Sequence, residues 1–116
     1  MLGFSVTISE LKVQPTAELI ENAKTGDWQD IIERFDSSFR GQTVAYIPNT
    51  WDVPFPVEED SVPVSADNER MLYAGGYPTI FTALGSKLIS GFEKHSEQLT
   101  LIKPDTLYLV TVWDLS

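Results

Sequence analysis

Thr106-Leu107-Tyr108-Leu109-Val110-Thr111-Val112-Trp113 is the stretch on which the fold turns. Its β-branched, leucine and aromatic content suits a pleated, packed surface. Leu107, Leu109, Thr111 and Trp113 point one way along a strand, and Tyr108, Val110 and Val112 point the other. Both sets are largely apolar, so this strand is expected to be central or covered on both faces. Lys103-Pro104-Asp105, just upstream, has turn chemistry with a proline at a favoured position. Gln98–Ile102 before it is also strand-like, so the spacing predicts a C-terminal hairpin.

The second decisive pattern is helical. Trp28, Ile31, Ile32, Phe35 and Phe39 recur at the spacing of one helix face. Asp27 stands where an N-cap is needed, Asp30 adds negative charge in the first turn, and Gly41 lies just past the end. Asp27, Asp30, Glu33 and Arg34 read as the solvated face, and Trp28 as a core residue along with Trp113. A hairpin beside such a helix implies an α+β fold, with an antiparallel sheet packed against two or three helices. At 116 residues the chain fits one domain spanning 1–116.

Other elements follow with less internal evidence. Phe4, Val6 and Ile8 alternate with Ser5 and Thr7, which predicts a strand over Leu2–Ile8. Thr16 is placed to cap a short helix from Ala17 to Thr25, with Gly26 as its stop. Thr43–Ile47 reads as a strand ended by Pro48. A short helix is expected from Asp67 to Ala74. Phe81, Leu84, Leu88 and Phe92 favour a helix across Thr79–Lys94, with a strand at Thr79–Ala83 as the alternative.

Composition narrows the function classes. Seventeen acidic and eight basic side chains give a formal net charge of −9. Phosphate backbones and anionic membrane surfaces are bound through clustered Lys and Arg, so direct nucleic-acid or membrane binding is not expected. The absence of cysteine excludes a disulfide framework, thiolate metal sites and cysteine catalysis. No apolar run approaches the ~20 residues of a membrane-spanning helix. A cytoplasmic, soluble protein is the simplest expectation, with a virion component as the alternative.

Motifs for chemistry are sparse. Gly85-Ser86-Lys87 has the wrong order for a phosphate-binding loop, and Gly75-Gly76 lacks dinucleotide-loop spacing. No nucleophile elbow occurs. His95 lies in the polar run Glu93-Lys94-His95-Ser96-Glu97, where an exposed histidine at a helix end is the plain reading. The dense acids Glu58-Glu59-Asp60 read as a solvated charge run before they read as a catalytic pair. No catalytic residue, metal or cofactor is therefore expected.

Residues 48–68 differ from the rest. Pro48, Pro54, Pro56 and Pro63 fall here, with Asp52, Glu58, Glu59, Asp60 and Asp67, and no basic residue occurs between Arg40 and Arg70. Such a long proline-rich connection is either functional or folded back on the core. Aromatic anchors with a polar rim suit a recognition surface. On that reading Trp51, Asp52, Phe55, Glu58, Glu59, Asp60 and Tyr77 are the partner-binding candidates. Size and charge favour a non-catalytic binding module of the inhibitor, immunity or adaptor kind, acting on a protein partner, with a basic one favoured by the charge. The alternatives are an assembly subunit of a homo-oligomer, such as a phage virion component, and, ranked third, a small hydrolase-like enzyme.

Overall fold

The computed structural model describes residues 3–13, 16–23, 25–54, 71–74 and 78–115. The elements are β1 (Phe4–Leu11), α1 (Ala17–Ala23), α2 (Trp28–Phe39), β2 (Arg40–Thr50), β3 (Met71–Ala74), β4 (Thr79–Leu84), α3 (Gly85–Gly91), a 3₁₀ segment (Glu93–Leu99) and β5 (Leu107–Asp114). The strands form one sheet in the order β2-β1-β5-β4-β3. Every pairing is antiparallel. The fold is α+β.

β5 holds the middle of this sheet, where both of its apolar faces are covered. Its residues from Leu107 to Val112 are all buried. On one face Tyr108, Val110 and Val112, with Val6, Ile8, Phe81 and Ala83, pack against Leu88, Phe92, Leu99 and Ile102 of the α3 side. On the other, Leu109, Ile80 and Leu72 meet Ile20 and Ala23 of α1 and Phe35 and Phe39 of α2. Two helical layers therefore sandwich an antiparallel sheet.

The expected C-terminal hairpin does not form. Gln98 and Leu99 end the 3₁₀ segment, and β5 pairs instead with β1 and β4. Only Leu99 and Ile102 of the run 98–102 are buried, a three-residue spacing that fits a helical turn rather than a strand. The backbone confirms it: the Ile102 N–H donates to the Leu99 carbonyl at 3.0 Å. The Lys103-Pro104-Asp105 turn is present, but it joins the 3₁₀ segment to β5. There the Lys103 N–H donates to the Tyr108 hydroxyl at 2.8 Å.

Three further expectations are corrected. Thr79–Leu84 is a strand, the alternative reading, and the helix starts only at Gly85. Ile80, Phe81, Thr82 and Ala83 are buried in succession, as befits a strand covered on both sides. Residues 71–74 form β3 rather than a helix, because Met71, Tyr73 and Ala74 pair with β4; positions 67–70 lie outside the described residues. Pro48 does not end β2, which runs on to Thr50. β2 is an edge strand, where a missing donor costs no ladder bond. Phe4 pairs with Thr50 but Val6 with Ile47, so an extra β2 residue bulges out around Pro48.

The helix signals hold. The Leu19 N–H donates to Thr16 Oγ1 at 3.2 Å, and the Asp30 N–H to Asp27 Oδ1 at 3.0 Å. Phe35 and Phe39 are fully buried, their rings 5.7 Å apart, and Phe35 lies 6.3 Å from the Tyr73 ring. Trp28, expected in the core, is 54% exposed, and Trp113 is 39% exposed. Burial along the α2 stripe is confined to its C-terminal half, at Phe35 and Phe39. α2 runs directly into β2, with Arg40 as both C-cap and first strand residue.

Candidate functional site

The end of β2 sets up an exposed aromatic. Thr50 is buried, and its hydroxyl donates to the Asp52 carbonyl in a long 3.4 Å contact. Val53 packs on the core cluster formed with α3. Pro54 rests on Gly91, where a Cβ would stand 2.6 Å from Pro54 Cγ. Only a residue without a side chain lets the ring approach so closely. With the chain held at Thr50, Val53 and Pro54, Trp51 and Asp52 are left facing outward. Trp51 is 61% exposed.

Two hollows flank this corner. An open groove of about 390 Å³ is lined by Trp51, Asp52, Val53, Pro54 and Gly91. A smaller one of about 50 Å³ is lined by Thr50, Asp52, Gly91, Phe92, Glu93, Lys94 and His95. Asp52 and Gly91 belong to both. The Asp52 carboxylate has no ion pair or hydrogen bond among the described residues. His95, half-buried, uses its backbone N–H on the Phe92 carbonyl at 2.8 Å. Its imidazole has no hydrogen-bonded carboxylate or hydroxyl among the described residues, so no relay of the nucleophile, base and orienting acid kind is assembled there.

Of the residues expected from sequence, Trp51 and Asp52 are brought together at this corner. Phe55, Glu58, Glu59, Asp60 and Tyr77 lie outside the described residues. The sequence reading missed Val53, Pro54 and Gly91 as walls of the groove. Pro54 carries a signal as part of the proline run, whereas no local pattern marks Gly91.

A second polar cluster sits under α2 on the opposite face of the sheet. Arg40 Nη2 donates to Thr111 Oγ1 at 2.8 Å and stands 3.1 Å from Asp36 Oδ1, an ion pair without hydrogen-bond alignment. Arg40 Nε and the hydroxyl of buried Ser9 have no partner among the described residues. Partial burial raises the Asp36 carboxyl above its ordinary range, and the Arg40 charge opposes that rise. The same face carries Tyr46 and Trp113, 55% and 39% exposed. Thr7, paired with both Tyr46 and Thr111, and Ser5, opposite Trp113, lie between them.

Among the described residues no three His, Cys, Asp or Glu side chains cluster as a metal site. No helix among them is long and apolar enough to cross a membrane. Compared with protein-family models, curated proteins and solved structures, the chain matches none.

Proposed function

We propose that the chain is a non-catalytic module that binds a protein partner through the corner centred on Trp51. One observation carries this reading: a tryptophan more than half exposed is held beside an open groove by a buried threonine and a proline seated on a glycine. Large aromatics that become buried on association dominate interface energies. Anchoring on both sides limits the entropy lost when the segment is ordered by a partner. The net charge of −9 would speed encounter with a basic surface. Inhibitor, immunity and adaptor roles all use such a surface, and the reading covers the three alike.

The test is a partner isolated from the native source and remeasured with Trp51→Ala. Binding should weaken by about 2 kcal/mol with the melting temperature unchanged. A complex indifferent to that substitution would remove the reading.

A second reading, the assembly subunit of a homo-oligomer, draws on Tyr46 and Trp113. Two exposed aromatics on one sheet face, with small hydroxyl residues between them, offer a self-complementary patch. Light scattering across a concentration series separates the two: a monomer at all concentrations leaves the first reading alone.

A further inference from the structure

We infer that the groove beside Trp51 receives a cationic side chain, an arginine, of the protein partner. The inference rests on the binding reading above and names the chemistry of what is bound. The groove has three components. Trp51 contributes an exposed indole, the aromatic group best suited to attract a cation. Val53, Pro54 and Gly91 contribute an apolar wall along which the methylenes of a long side chain can lie. Asp52 contributes the one charge among the described residues that line the groove, and among the described residues its carboxylate is committed to no internal partner.

These components discriminate between occupants. An acidic side chain would meet the Asp52 charge and a chain of net charge −9. An aliphatic one would use the wall but leave the carboxylate to be desolvated without compensation. A guanidinium uses all three, since it stacks on an aromatic face, pairs with a carboxylate through parallel N–H donors and is weakly hydrated. The site is confined to the outer groove. The smaller hollow, about 50 Å³, carries Lys94 beside Asp52 and Glu93, and that ammonium would repel an incoming guanidinium.

The experiment uses the full chain and three short, capped peptides that differ only at a central arginine, leucine or glutamate. Binding is followed by amide and indole NMR shifts. The arginine peptide should shift the Trp51 indole N–H and the Asp52 and Gly91 amides, and the leucine and glutamate peptides should not. Trp51→Leu keeps apolar bulk at an exposed position and removes the aromatic face, and Asp52→Asn removes the charge. Each should weaken the arginine peptide by about two- to fivefold, the range for an exposed cation–π contact or ion pair. Added salt should weaken it further. Equal binding of the leucine peptide, or no shift at these positions with millimolar arginine peptide, overturns the inference. If the native complex is lost with Trp51→Ala but unmoved by Asp52→Asn, the binding reading stands and the cationic occupant falls. If Trp51→Ala leaves the native complex intact, the binding reading itself falls.

Discussion

Pro54 lies on Gly91 so closely that the smallest added side chain would overlap its ring: a Cβ at Gly91 comes within 2.6 Å of Pro54 Cγ and 2.8 Å of Pro54 Cβ. A proline ring cannot swing aside as a long side chain can. Gly91→Ala should displace the Trp51–Pro54 corner and cost about 1–3 kcal/mol, the usual scale of overpacking. Thermal melting gives the cost. Emission of Trp51 in a background lacking Trp28 and Trp113 gives the displacement, and unchanged emission would show that the corner does not depend on this contact.

Gly85 is tighter still. A Cβ there would fall 1.8 Å from the carbonyl oxygen of Lys103, a backbone atom. The junction is fixed by two hydrogen bonds, from the Gly85 N–H to the Thr106 carbonyl at 2.8 Å and from the Ser86 N–H to the Pro104 carbonyl at 3.0 Å. Gly85→Ala is expected to cost about 3 kcal/mol or more, the upper end for overpacking. Urea denaturation measures it, and a loss below that of Gly91→Ala would contradict the geometry.

Within α2, stability should divide sharply between its two ends. Phe35 is fully buried between Phe39 and Tyr73, so Phe35→Ala should cost about 3–5 kcal/mol. Trp28→Ala should stay within about 0.5 kcal/mol of the parent, as exposed positions do. Comparable losses for both would mean that Trp28 is covered in solution.

Asp36 should give stability a pH dependence of unusual sign for a carboxylate. Its folded-state pKa is raised, chiefly by burial, with Arg40 pulling the other way. A group raised on folding contributes stability that is present below its unfolded pKa and lost as pH rises through the folded one. Asp36→Asn should remove this component, so wild type minus variant falls as pH climbs through the carboxylate range. A difference that grows instead would mean that the Arg40 pairing outweighs the burial.

The sequence disclosed most where one physical requirement dominated. The two-faced apolarity of 107–113 fits no position but a covered strand, and Asp27 followed by a regular stripe fits little but a capped helix. It misled where two elements share a pattern. Leu99 and Ile102 belong to a helical turn yet sit in a run that also suits a strand. Phe81, Leu88 and Phe92 do share one cluster, but Phe81 reaches it from β4 and the others from the helical layer. The binding corner was half legible. Trp51 and Asp52 stood out by residue type, whereas the seating of Pro54 on Gly91 depends on tertiary approach that no local pattern encodes.

The central position of β5 has a consequence for how the molecule is made. Among the described strands it comes latest in sequence, yet β1 and β4 are joined in the sheet only across it. Until residues 107–114 have been synthesised, the chain holds two separate two-stranded pieces, β2-β1 and β4-β3, and such pieces are marginal in water. Their inner edges are open to any passing strand in that interval. Final folding is then one late insertion that closes both edges together, so shortening the chain inside 107–114 removes the whole sheet rather than its rim.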